Sequence, residues 1–315
     1  MVRLLWVLGL LMVGSGSVAL AGAGAGEAGA EVPYPKDVTV ETLANAEELA
    51  RLEKPGEVFF TDGFDAPDSL KNWFDGGDRQ KVVLDAALAH SGAGVLQMDV
   101  PDQQGKEAGA GVNYWFAPGY DVVYFRRYIK FAEDYDQGDL HHVGGSLYAV
   151  AGSDKWAEMG KAGIRPTGDD RFGASFEPWR DWKRNEPPGA MMLYTYWMDM
   201  KVDRDGVHYW GNNLMPPRER QVLLKRGVWH CLEHMIRANT VGQADGEMAA
   251  WIDGKLYIHL KGFRWRSSAE VKLKRISVGL YVHQSTRPNR VWYDDVALAT
   301  GYIGMLPKST EPAPK

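Results

Sequence analysis

Between residues 58 and 304 apolar and polar positions alternate with a period of two, and Gly, Pro, Asn and Asp interrupt the pattern about every ten residues. The clearest strand-like runs are 81–86, 95–100, 122–131, 190–200, 228–237, 247–260, 271–283 and 290–297. No strand–helix alternation accompanies them, so the pattern predicts an all-β antiparallel sandwich or jelly roll and not a parallel sheet. Residues 38–52 differ: Leu43, Ala46, Leu49 and Leu52 recur at helical spacing until Lys54-Pro55-Gly56 stops them, which predicts one short N-terminal helix. Residues 152–188 form the longest stretch without a clear period and are read as an irregular loop.

Strand alternation sorts side chains by face. Within 122–131, Val123, Phe125, Ile129 and Phe131 share the side expected to be core, while Tyr124, Arg126, Tyr128 and Lys130 share an expected wet, cationic side. Tyr194 and Tyr196 project together from 190–200, although either side of that run could be core. Ser277, Gly279, Tyr281 and His283 share a side whose small residues leave room above the sheet, as a groove floor requires. Asp245-Gly246 and Asp253-Gly254 are read as hairpin turns, because Asp bonds its own backbone and Gly reaches positive φ cheaply.

The ends are organised differently. Met1-Val2-Arg3, an apolar run and a small-residue finish at Ala19-Leu20-Ala21 have the order of a secretory signal peptide over 1–21, so a secreted or periplasmic location is expected, with no membrane span after its removal. Residues 22–56 read as linker and helix, 57–305 as the β domain, and 306–315 as a disordered tail.

Composition narrows the partners. The 315-residue chain is 45% hydrophobic, enough for a buried core, and its formal charge of -5 gives no global field for nucleic acid. Cys231 is the single cysteine, so no intramolecular disulfide can staple the fold. Twelve Trp and fourteen Tyr suit strand surfaces and sugar-binding clefts equally.

The segment Gly227-Val228-Trp229-His230-Cys231-Leu232-Glu233, followed by Asn239-Thr240, Asp245-Gly246 and Trp251-Ile252-Asp253-Gly254-Lys255, resembles jelly-roll polysaccharide lyases of the alginate and glucuronan lyase type (polysaccharide lyase families 14 and 20). Phe59 to Phe64, Arg127 to Phe131 and Val291 to Val296 are similar to other scaffold stretches of that group. The resemblance spans about residues 58–304 and implies a concanavalin A-like fold and β-elimination on an acidic, uronic-acid polysaccharide, with no cofactor required. Such chemistry needs a cation or polar group at the carboxylate, a base for the C5 proton and an acid for the leaving oxygen. The group's tyrosine pair resembles Tyr194-Thr195-Tyr196, which implies acid and base roles for Tyr194 and Tyr196. Its lysine has no counterpart here: Asp139-Leu140-His141-His142-Val143-Gly144-Gly145 stands at that place, putting His142, or His141 in a shifted register, in the lysine position. Arg126 is then expected to hold the carboxylate, with Tyr128, Lys130, Tyr281 and His283 lining the substrate groove.

The 152–188 stretch carries Lys155, Lys161, Arg165, Arg171, Arg180, Lys183 and Arg184 among Trp156, Phe172, Trp179 and Trp182, a mixture suited to a cleft wall for an acidic polysaccharide. No metal is expected in catalysis, while a structural Ca²⁺ held through Asp62, Asp65 or Asp295 is compatible with hard-cation chemistry. Two alternatives stand: a non-catalytic carbohydrate-binding envelope protein on the same fold, and a laminarinase-type glycoside hydrolase, which needs paired carboxylates on one strand face that the sequence does not display.

Overall fold

The structure, a computed structural model, describes residues 36–37 and 39–307. The expected signal peptide, most of the linker and the tail from residue 308 lie outside the described residues. The leading helical stretch is two helices, α1 (Thr39–Ala44) and α2 (Ala46–Leu52), because Asn45 leaves helical geometry and caps α2, its Oδ1 accepting the Glu48 N–H at 3.1 Å.

Among the described residues fifteen strands, the first of them ahead of α1, form two antiparallel sheets. The nine-stranded sheet runs β1 (Lys36–Asp37), β13 (Lys255–Phe263), β12 (Gly246–Ile252), β11 (Trp229–Arg237), β6 (Val122–Phe131), β15 (Asn289–Ala299), β4 (Val95–Val100) and β3 (Gln80–Val83), with β2 (Val58–Asp62) also on β15. The six-stranded sheet runs β10 (Asn212–Leu214), β9 (Ala190–Tyr196), β8 (Arg171–Trp179), β7 (His141–Val150), β14 (Lys272–Ser285) and β5 (Lys106–Tyr120). The two sheets form the expected all-β jelly-roll sandwich.

Period-two alternation places Phe125, Ile129 and Phe131 of β6 in the core with Leu147, Phe176, Leu193 and Val278 from the facing sheet. Arg127 has the same parity and is fully buried there. Its guanidinium is accommodated because Nη2 donates to the Phe176 carbonyl and the group lies 5.1 Å above the Phe125 ring; loss of water lowers its pKa to about 10.

Three expectations change. Part of the stretch read as irregular is the inner strand β8. The 247–260 run is two strands joined by a turn in which Asp253 and Gly254 have φ of 49° and 75°, whereas Gly246 begins β12 and is not itself the turn. The side carrying Tyr124, Arg126 and Tyr128 is not wet. Leu52 of α2 and residues 302–306 cover it: Tyr124 OH donates to Leu52 O at 2.8 Å, Arg126 Nη1 to Gly304 O at 3.1 Å, and Leu306 N to Tyr128 OH at 2.9 Å.

Candidate active site

The outer side of the six-stranded sheet is exposed around His142, and register decides which residues stand there. Tyr281 of β14 pairs with His142 of β7, Ser146 of β7 with Ser175 of β8, and Ser175 with Tyr194 of β9. The next row toward β5 is Ser277 opposite Asn113, and beside it Gly279 opposite Gly111. Small side chains therefore make a low floor between tall ones at either end. Tyr194 is fixed in part by Gly211, where any Cβ would come within 2.5 Å of its ring, so only glycine lets the chain pass. Beneath the floor, Tyr293 of the opposite sheet donates to the Gly144 and Gly279 carbonyls at 3.1 and 2.6 Å and ties β7 and β14 together.

Five of the eight residues expected at the site meet here. The His142 ring lies 5.1 Å from Tyr194, 5.5 Å from His283 and 6.3 Å from Tyr281, and the Tyr194 and Tyr196 hydroxyls are 3.4 Å apart. Adjacent residues on a strand point oppositely, so His141 is buried behind the sheet, where loss of water pulls its pKa down to about 3, and only His142 faces the groove. Arg126, Tyr128 and Lys130 do not join them. They lie on the outer side of the nine-stranded sheet, across the whole sandwich; Tyr128 stacks on His90 at 3.6 Å and Lys130 sits over Trp292 at 5.7 Å. Arg126 is consequently a tether for the C-terminal segment and cannot touch a sugar bound at His142.

Sequence reasoning missed Glu177. Its carboxylate, 2% exposed, is 2.8 Å from His142 Nδ1. The signal was present: in β8 Phe172, Ala174 and Phe176 alternate with Gly173, Ser175 and Glu177, which marks a strand with Glu177 on the groove side.

The electrostatics divide the proton carriers. Loss of water works against a proton on His142, but the charge and hydrogen bond of Glu177 outweigh it and hold the pKa above the ordinary value. His283 is pushed down to about 4 by loss of water and by His142, so it is neutral at physiological pH. Burial, then the neighbouring Tyr196, raises Tyr194 well above the usual phenol value. Tyr281 is likewise raised by burial and by its bond to Glu107. Tyr196 OH accepts the Gly163 N–H at 3.2 Å. The arrangement thus offers an imidazole that favours its cation beside two linked phenols, one kept neutral.

Among the described residues no group of three or more His, Cys, Asp or Glu side chains is placed to hold a metal. The aspartates considered for Ca²⁺ are engaged otherwise: Asp62 accepts from Phe64 N and Trp73 Nε1, Asp65 from Ala93 N and Gly94 N, and Asp295 from Ser91 Oγ.

No known family description matches this chain, and no curated protein matches it. Solved structures do. The marine PL-14 alginate lyase from Aplysia kurodai is 13% identical with a TM-score of 0.58, covering 78% of this chain and 99% of its own. An alginate lyase from Chlorella virus is 16% identical at a TM-score of 0.56, covering 77% and 99%. The endo-β-1,4-glucuronan lyase from Trichoderma reesei is 15% identical at 0.50, covering 78% and 97%. This chain has the fold of jelly-roll polysaccharide lyases. Among the described residues no helix is long and apolar enough to cross a membrane.

Proposed function

We propose that the protein is an exported polysaccharide lyase that cleaves a uronic-acid polymer by β-elimination in the groove of the six-stranded sheet. The observation that carries this reading is the meeting of His142, Tyr194 and Tyr196 on one open sheet surface, within reach of a single sugar unit. His142, whose cation Glu177 favours, takes the part first expected of Arg126: it faces the sugar carboxylate and the negative charge that grows on it as the C5 proton leaves. Tyr196, whose oxygen accepts the Gly163 N–H, suits the proton acceptor once ionised. Tyr194, held neutral by burial, suits the donor to the departing 4-linked oxygen. The C5–H bond breaks with its electrons forming the C4–C5 double bond, and the C4–O bond breaks with its electrons going to the oxygen that Tyr194 protonates. His283 and Tyr281 remain as neutral hydrogen-bonding groups for sugar hydroxyls.

Glu177 also favours a second reading, a non-catalytic carbohydrate-binding protein, because a buried carboxylate beneath the groove opposes an anionic sugar unless His142 keeps its proton. A laminarinase-type hydrolase has less support, since Glu177 has Ser175 and Trp179 as its same-side neighbours on β8 and no second carboxylate. The deciding assay follows the ultraviolet absorbance of unsaturated uronate ends over alginate, glucuronan and glycosaminoglycans. New absorbance on any of them supports the lyase, and binding without it supports the second reading.

A further inference from the structure

Next to Tyr196 is a trough of about 750 Å³ lined by residues 163–167 and 207–209 together with Met198 and Asp199. The walls are clasped together, Tyr209 N donating to Gly163 O at 2.8 Å, and the same Gly163 donates to the Tyr196 hydroxyl. The trough is therefore registered against the tyrosine pair.

Its charge is distinctive. Most cations of the 152–188 stretch are already neutralised: Arg171 is held by Asp170, Arg180 by Asp136 at 2.8 Å, Lys183 by Asp139 at 3.3 Å and Arg184 by Asp181 at 3.2 Å. Arg275, another guanidinium of the groove sheet, is committed to Glu158. Lys155 lies 5.1 Å over the Phe74 ring and does not line the trough. Arg165 is exposed on the trough wall, has no acidic partner among the described residues, and lies 5.2 Å over the Tyr209 ring. The trough's own acid, Asp199, is occupied by Arg264 through two bonds of 2.7 and 2.8 Å. A planar guanidinium kept in place by an aromatic ring, in a concavity whose carboxylate is neutralised, is built to receive a carboxylate in forked fashion.

We infer that this trough is a subsite for a second acidic sugar of the same polymer, with Arg165 pairing to its carboxylate. Arg165 lies two residues from Gly163, so its backbone is within ~7 Å of the segment touching Tyr196, about one ring further along the chain. The inference rests on the lyase reading for the polymer's path and makes acidic-chain length, beyond a single uronate, a determinant of affinity.

The test measures binding of acidic disaccharides, acidic tetrasaccharides and neutral tetrasaccharides by titration calorimetry, at low and high salt. The proteins are Tyr196→Phe, to block turnover, and Tyr196→Phe combined with Arg165→Gln or Arg165→Lys. Arg165→Gln should weaken the acidic tetrasaccharide about 5-fold at low salt, lose part of the salt dependence, and leave the other two ligands unchanged. Arg165→Lys should recover part of the loss. Equal tetrasaccharide affinity in the Arg165→Gln and Arg165 proteins overturns the subsite, as does an equal loss for neutral chains. Cleavage by the parent is scored separately: a parent that binds acidic tetrasaccharides through Arg165 but forms no unsaturated product ends the lyase reading and leaves the subsite standing.

Discussion

The two outer sheet surfaces carry nearly the same side chains and have opposite fates. On the nine-stranded sheet, His90 stacks on Tyr128, with Arg126, Glu233 and Lys130 nearby; on the six-stranded sheet, His142 packs against Tyr194, with Glu177, His283 and Tyr281 nearby. The first surface is sealed. Glu233 accepts from Ile303 N and Gly304 N, both at 2.9 Å, and loss of water drives its pKa up to about 7. The second surface is open around His142, whose side chain is 41% exposed, because its floor is serine, glycine and asparagine; segments 74–75, 163 and 211 border it without sealing it. A cluster of aromatic and titratable residues is thus structural or functional according to what covers it. Arg126 and His142 illustrate the two outcomes from comparable sequence settings.

That contrast can be broken most directly at the proton carriers. His142→Ala, Tyr194→Phe and Tyr196→Phe should each lower kcat/KM by ~10² or more on a substrate that the parent cleaves, with unchanged circular dichroism. If all three variants turn over at the parent rate, the open surface is not a catalytic site.

Glu177→Gln should act through pH. The carboxylate favours the His142 cation, so removing its charge lowers the His142 pKa while Gln can still accept the Nδ1–H bond. Activity carried by the cation falls as pH rises through that pKa, and the alkaline limb should therefore move to lower pH in the variant. A limb that stays in place would remove His142 from the cationic role. The same sign applies to stability: the contribution of the His142–Glu177 pair is complete below the unfolded-state pKa of histidine and is lost as pH rises through the raised folded-state value.

A smaller effect is expected beneath the floor. Tyr293→Phe leaves the Gly144 and Gly279 carbonyls without their shared donor, costing about 1–3 kcal/mol in denaturant unfolding and loosening the strand that carries His142. An unchanged midpoint would show that the sheet-to-sheet tie does not matter. The smallest effect on turnover should come from the sealed side. Arg126→Gln removes bonds to the Asp295 and Gly304 carbonyls, so about 1–2 kcal/mol of stability should be lost while the rate of cleavage is untouched. A large loss of activity with normal stability would return Arg126 to the substrate and overturn the contrast.

Strand β6 and strand β8 show how far the sequence could be read. Valine, isoleucine and phenylalanine alternate through residues 122–131, and the strand runs over those residues with Phe125, Ile129 and Phe131 inside. In β8, proline, glycine, alanine and serine dilute the same alternation, so it passed for loop, and Glu177 was lost with it. A spacing of two placed the tyrosine pair on one side of one strand, while their roles and the choice of His142, with His141 left open, came from the resemblance; the structure then turned only His142 to the groove.

What the sequence by itself determined is local: strand periods, the breaks between them, and the side of each strand on which a residue stands. Which strands become neighbours, and which sheet surface is then covered, was decided by tertiary structure. Arg126 and Tyr194 each face outward from their own sheet, yet β6 and β9 lie in different sheets, and residues 302–306 return from the far end of the chain to seal only the first. The physical reason is that strand alternation specifies direction relative to one backbone, whereas burial and charge pairing depend on contacts between segments more than a hundred residues apart, such as Arg126 with Gly304.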